Sequence, residues 1–195
     1  KILDPAIISA KSCIIDIGGH KGMFAIYARC LNEKVPIFVY EPEEENFRDL
    51  KENLKINHLK DIYPHSQAVT GHNGEGVLYI SPDSHNHSFI PYSPDAPSKK
   101  VNTTKLETIF DRLAKKGITT CDVLKVDAEG AEFEIFAATP PEILKKCGTI
   151  IIEYHNYQPG HNETTLKNHL TTAGFRVKSF PSRYDKRFGL IYAGR

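Results

Sequence analysis

The chain has 195 residues, enough to bury one sizeable core, and reads as a single domain over 1–195. Its charge is nearly balanced, with 25 basic and 24 acidic side chains, which excludes the basic footprint of a nucleic-acid binder. No apolar run reaches about 18 residues and no signal-peptide pattern opens the chain, so no membrane span is expected and the cytoplasm is the expected setting.

Cys13, Cys30, Cys121 and Cys147 are scattered and form no CxxC pair. Three of them sit beside apolar runs, which favours buried thiols over a disulfide or metal role. The chain opens at Lys1 without a Met, as a trimmed piece of a longer protein would, so a secretory or anchored context stays open. The triplets Asn86-His87-Ser88, Asn102-Thr103-Thr104 and Asn162-Glu163-Thr164 would matter as glycan acceptors only in that context.

Strand-like and helix-like segments alternate along the chain, which predicts an α/β fold with a mainly parallel sheet. Residues 13–17 form a short apolar strand, and 23–31 a helix apolar nearly all round. Residues 36–40 make a second strand. Phe47, Leu50 and Leu54 then mark one face of a helix. A third strand is expected over 62–69, with a short one over 77–80 after the turn Gly74-Glu75-Gly76. Residues 81–104 hold Pro82, Pro91, Pro94 and Pro97 and read as a loop, either a lid over a ligand or a plain surface excursion. Phe89, Ile90 and Tyr92 give it apolar groups, and His85-Asn86-His87 is expected to be exposed.

Thr104 and Glu107 fit a capping box ahead of Leu106, Ile109, Phe110 and Leu113. The fourth strand covers 121–126. Thr139, Pro140 and Glu142 suggest another helix start, with proline at its first position. The fifth strand covers 149–154. A helix over 166–173 stops at Gly174, and 175–180 and 188–193 close the chain as an antiparallel pair around the basic turn of Arg183, Lys186 and Arg187.

The turn Asp16-Ile17-Gly18-Gly19-His20-Lys21-Gly22 follows the first strand and precedes a helix, where backbone N–H groups favour an anionic ligand group. GxGxxG fails at His20 and the phosphate-loop pattern fails at Met23. The remaining pattern, Asp-x-Gly-x-x-x-Gly, suits a ligand with an amino-acid end. Asp16 would accept from its ammonium or from an ordered water, and Gly18 and Gly22 would permit close approach. Glu41 stands about 20 residues beyond this turn, the place of a ribose-binding carboxylate in doubly wound folds. The competing reading puts Glu41 with Glu43, Glu44 and Glu45 in a solvated helix start.

Several stretches resemble the FkbM family of S-adenosylmethionine-dependent methyltransferases. They are Ile15 to Gly22, Val39-Tyr40-Glu41-Pro42, Asn53 to Asn57, Ile152-Glu153-Tyr154-His155 and, most specific, Leu124-Lys125-Val126-Asp127-Ala128-Glu129-Gly130-Ala131-Glu132. The resemblance covers roughly residues 13–194. It departs at His20-Lys21, where relatives often carry Ala-Asn, and at Glu107, where Asp is usual. The helix usually packed before the first strand is also short or missing. The resemblance implies a Rossmann-like class I methyltransferase fold, with seven strands, one antiparallel, and helices on both faces. It also implies O-methylation of a sugar or natural-product-like small molecule. The expected cofactor-binding set is Asp16, Gly18, Gly19, Gly22, Glu41, Pro42, Ala68 and Asp127.

Methyl transfer to a hydroxyl needs alignment and help in removing a proton, from a base or a metal ion. Open α/β sheets bind ligands beyond the carboxyl ends of their strands, where Asp127, Glu153 and His155 should converge. Asp127 interrupts an apolar run and is the first candidate, with a helix-capping role as its alternative. His155 could act as base or join Asp127 and Glu153 around a divalent metal. Glu129 and Glu132 read mainly as acids favoured by a helix dipole, and Lys125 as a strand cation needing a carboxylate partner. A nucleotide-dependent oxidoreductase would need the missing GxGxxG. A non-catalytic module that keeps the fold and binds the cofactor stays open, as do the acceptor and the oligomeric state.

Overall fold

The computed structural model describes residues 12–84 and 86–195. His85, and any helix ahead of the first strand, lie outside the described residues. The chain begins with β1 (Ser12–Ile17), α1 (Met23–Leu31), β2 (Ile37–Tyr40), α2 (Glu44–Ile56) and β3 (Ile62–His65). Next come β4 (Ala68–Val69), β5 (Gly74–Tyr79), β6 (Ser98–Thr104) and α3 (Leu106–Ala114). The second half adds β7 (Thr120–Asp127), α4 (Glu132–Ala137), α5 (Pro141–Leu144), β8 (Cys147–His155), α6 (Glu163–Thr172), β9 (Arg176–Pro181) and β10 (Phe188–Gly194).

Seven strands form one sheet in the order β3-β2-β1-β7-β8-β10-β9. β10 runs antiparallel to both its neighbours, and the other pairings are parallel. The expected fold class is therefore observed. Strand alternation divides the core between the two faces. Ile14, Ile37 and Val39 pack with Ala25, Ala28 and Leu50 under α1 and α2. Ile15, Ile17, Leu124 and Ile150 pack with Phe110, Phe136, Leu144 and Leu166 on the other side. Chain order reverses between β1 and β7, and a crevice opens at such a switch point.

Four sequence expectations need correction. The third strand breaks after His65, so that β3 stays on the sheet edge while β4 joins a separate sheet of order β4-β6-β5. Pro64 lies in β3, and edge strands tolerate proline. The expected loop over 81–104 ends earlier, because Ser98–Thr104 pairs antiparallel with β5. Its first three residues are exposed, so their polarity fits a strand facing water. Thr104 makes no capping box; α3 is capped at Lys105, and Thr104 donates instead to Asn73 Oδ1. Thr139 likewise caps nothing and donates back to Ile135 O at 2.6 Å, while Pro140 is the N-cap of α5. Asn162 caps α6, and Gly174 follows it at φ +91. Among the described residues no helix is long and apolar enough to cross a membrane.

Candidate active site

A cavity of about 640 Å³ lies over the carboxyl ends of β1, β2, β7 and β8. One end is the glycine turn. Gly18 and Gly19 N–H both donate to Tyr40 O at 3.0 Å, which draws the turn across β2. Gly18 has φ +72, and a Cβ there would stand 1.7 Å from Asp127 O. At Gly19 a Cβ would meet Val39 Cγ1 at 2.1 Å. Gly22, at φ +87, is the N-cap of α1 with no side-chain cap, so the first N–H groups of α1 stay available beside Met23 and Phe24 in the cavity wall. Gly22 itself backs onto Leu50 outside that wall.

Asp16 also lies behind the wall, with 0% exposure. Lys125 Nζ faces its Oδ1 at 3.3 Å, approaches Asp127 Oδ2 at 3.4 Å and donates to Gly18 O at 2.7 Å. The expected carboxylate partner of Lys125 is thus two carboxylates. Beyond this contact with Lys125, no described group hydrogen-bonds either Asp16 oxygen. Burial pushes the Asp16 carboxyl up, against the pull of Lys125. A buried carboxylate with Lys125 opposite one oxygen and no partner on the other, beside a close-packed glycine turn, fits the amino-acid end of S-adenosylmethionine, reached directly or through water.

Glu41 is 6% exposed and belongs to no solvated cluster. Its Oε2 accepts from His20 N–H at 2.8 Å and its Oε1 from Glu43 N–H at 2.9 Å. Burial raises its pKa to about 7, with the two backbone donors opposing. Glu43 is separate again, capping α2 by accepting from Asn46 N–H. Pro42 and Ala68 line the same part of the cavity. Ser84, Asn86, His87 and Phe89 cover it from the 81–97 segment, where Asn46 Nδ2 donates to Ser84 O at 3.0 Å. His20, where the chain departs from its relatives, has φ +47, lines the cavity and stands 3.4 Å from Ser84 Oγ through Nε2.

The other end of the cavity holds Asp127, Glu129, Glu153, His155, Tyr157 and Phe188. Asp127 and Glu153 are register partners on β7 and β8. Asp127 caps no helix, since α4 starts after Ala131 without a side-chain cap. Glu153 carries no hydrogen bond or ion pair among the described residues and opens to solvent. Partial burial, then the Asp127 charge, raise its carboxyl pKa.

Glu132 is fully buried; its carboxylate accepts from Ala128 N–H at 2.8 Å and Gly130 N–H at 3.0 Å, and meets His155 Nδ1 at 3.0 Å. His155 Nε2 points to Glu129 Oε2 at 3.6 Å. Burial alone would lower the His155 pKa, but Glu132, then Glu129 and Asp127, hold it up at about 9. The carboxylates around the ring thus favour its charged form, where the sequence alone suggested an imidazole with an ordinary, near-neutral pKa.

Glu129 is also misplaced by the sequence reading. It precedes α4, in a left-handed conformation at φ +48. Its Oε2 accepts from Tyr157 OH at 2.9 Å, and its carbonyl accepts from Ser88 Oγ. The carboxylates of Asp127 and Glu129 and the ring of His155 bring ligand atoms within 4.8 Å of one another; Glu153 is not in this group. Tyr157 and Phe188 were missed. Tyr157 follows His155 at the exit of a strand whose end was already singled out, which was the available signal.

The methyltransferase FkbM domain model matches residues 16–177. The chain belongs to the FkbM methyltransferase family. Family membership carries the enzyme class, an S-adenosylmethionine-dependent methyltransferase. The chain is 22% identical to methyltransferase 1 of Beauveria bassiana over 91% of its own length and 77% of that protein's. It superposes on the FkbM methyltransferase of Methylobacillus flagellatus at TM-score 0.62 and 15% identity, covering 94% of this chain but 44% of that one. It also superposes on M. capricolum TrmK, solved with S-adenosyl-homocysteine, at TM-score 0.55 and 15% identity, over 100% of this chain and 69% of that one. These structural likenesses bear on the fold.

Proposed function

We propose that this FkbM-family chain transfers a methyl group from S-adenosylmethionine to a hydroxyl of a sugar or natural-product-like small molecule. The observation that carries the reading is the meeting, at Asp127 in one cavity, of a glycine cradle and a carboxylate-rich end flanked by Tyr157 and Phe188. When bound, the cofactor supplies an electrophilic methyl carbon. The cradle Gly18–Gly22, with Asp16 behind it, holds the amino-acid end, and Glu41 accepts from the ribose hydroxyls. Pro42 and Ala68 wall the nucleoside. Asp127 and His155 flank the acceptor hydroxyl, and aromatic faces beside carboxylates suit a polyhydroxylated ring. Glu153, unengaged and open to solvent, takes the hydroxyl proton and releases it to water.

A small acceptor fits a cavity of about 640 Å³ and a near-neutral chain better than a nucleic acid does. The exposed free Cys30 suits the reducing cytoplasm. Calorimetry with S-adenosylmethionine and with NAD tests the cofactor; binding of NAD alone would sink the reading. Labelled-methyl transfer to a panel of methyl glycosides and phenols tests the reaction. Tight cofactor binding without transfer to any member of that panel would instead favour the non-catalytic module.

A further inference from the structure

We propose that Asp127, Glu129 and His155 form a divalent-cation site at the acceptor end of the cavity, with Glu132 as the outer partner that orients the imidazole. The sequence reading had offered Asp127, Glu153 and His155. In the structure Glu129 takes the place of Glu153, because its left-handed backbone turns its carboxylate toward His155.

Three observations support the site. The ligand atoms lie within 4.8 Å of one another, a spacing that one ion can bridge with small side-chain adjustments. His155 is 4% exposed and its Nδ1 is fixed by Glu132 at 3.0 Å, so Nε2 is the nitrogen presented to the two carboxylates. A carboxylate behind a ligating imidazole is the outer arrangement that metal sites recurrently use. Glu132 is itself locked by Ala128 and Gly130 N–H, so the ring cannot easily swing away.

The charges agree. Asp127, Glu129, Glu132 and Glu153 surround His155, with Lys125 as the nearby cation. Lys125 faces Asp127 Oδ2, which leaves the other oxygen of that carboxylate for an ion. Tyr157 OH donates to Glu129 and steadies it. Two carboxylates and one imidazole suit Mn2+ and neighbouring divalent ions. Such an ion would lower the pKa of a hydroxyl beside it. That use rests on the methyl-transfer reading; cation binding does not.

The test is Mn2+ titration of the chain without S-adenosylmethionine, followed by electron paramagnetic resonance of the free ion. One Mn2+ per chain is expected. Glu129→Gln and Asp127→Asn should each weaken binding by more than about tenfold, and Glu132→Gln by roughly tenfold. Glu153→Gln should leave it nearly unchanged, because Glu153, unlike Glu132, makes no hydrogen bond or ion pair with any of the three ligands among the described residues. Circular dichroism confirms that each variant folds. The proposal is overturned if the wild-type chain shows no saturable binding at millimolar Mn2+. It is also overturned if Glu129→Gln binds as well as wild type, or if Glu153→Gln abolishes binding. Cofactor binding is measured separately by calorimetry, so failure of the methyltransferase reading would be seen independently.

Discussion

Lys125 faces Asp16 across the β1–β7 pair: the two residues are register partners, and Nζ stands 3.3 Å from Oδ1. Asp16 is fully buried and the Lys125 side chain is 16% exposed. Both charges are therefore costly alone, and removing one strands the other. Lys125→Met should cost about 3–5 kcal/mol by urea unfolding. Pairing it with Asp16→Asn should restore much of that loss, because the orphaned carboxylate is gone. If the double variant were no more stable than Lys125→Met, the pair would not be what balances this strand junction.

Glu41 gives the cofactor site a pH dependence. Its folded pKa, near 7, lies above the ordinary 4.5, so between those values the folded chain holds a proton that the unfolded chain lacks. Folding stability contributed by this group is therefore lost as pH rises through that window. Cofactor affinity should move the other way, since ribose hydroxyls donate most strongly to the charged carboxylate. Calorimetry should show S-adenosylmethionine binding several-fold tighter at pH 8 than at pH 6. Glu41→Gln should bind weakly and with a flat profile. Identical pH dependence in the two proteins would remove Glu41 from the ribose role.

The sequence shows the first half of the site more plainly than the second, for physical reasons. Apolar runs flank Asp16 to Gly22, so a strand, a tight turn and a helix follow from composition. Asp127 stands out because it breaks an apolar strand. Glu129 does not, because an acid just ahead of a helix looks like a dipole partner, and nothing local announces φ +48. The shifted pKa of His155 depends on Glu132, 23 residues earlier in the chain, through a contact that only folding creates. β6 was hidden because Ser98, Lys99 and Lys100 are polar, and an exposed strand end carries no apolar alternation.

Gly18 combines two demands that can be separated. A Cβ there meets Asp127 O at 1.7 Å, and the residue sits at φ +72. Gly117 has a similar φ of +78 with nothing within 4 Å of an added Cβ. Gly117→Ala should therefore cost about 1 kcal/mol, for the left-handed backbone alone. Gly18→Ala should cost roughly 3 kcal/mol and also weaken cofactor binding, because the turn must leave Asp127. Equal costs in chemical denaturation would show that the close approach to β7 adds nothing.

Glu132 should prove a positioning residue whose loss is felt at His155. Its carboxylate accepts from Ala128 and Gly130 N–H and meets His155 Nδ1, so Glu132→Gln sets an amide N–H against at least one donor. A buried donor left unpaired costs about 1–3 kcal/mol, and the variant should be less stable by that order. A raised histidine pKa stabilises the fold fully below the ordinary value of 6.5, and that contribution is lost as pH rises through about 9. In chelator-treated wild type, stability attributable to this ring should thus decline between pH 7 and pH 10, and in Glu132→Gln the decline should shrink. The His155 ring proton, followed by NMR, should move its midpoint from about 9 down toward 6.5 in the variant. An unchanged midpoint would mean that Glu129 and Asp127 hold the proton by themselves, and Glu132 would be left with the backbone of Ala128 and Gly130 as its whole purpose.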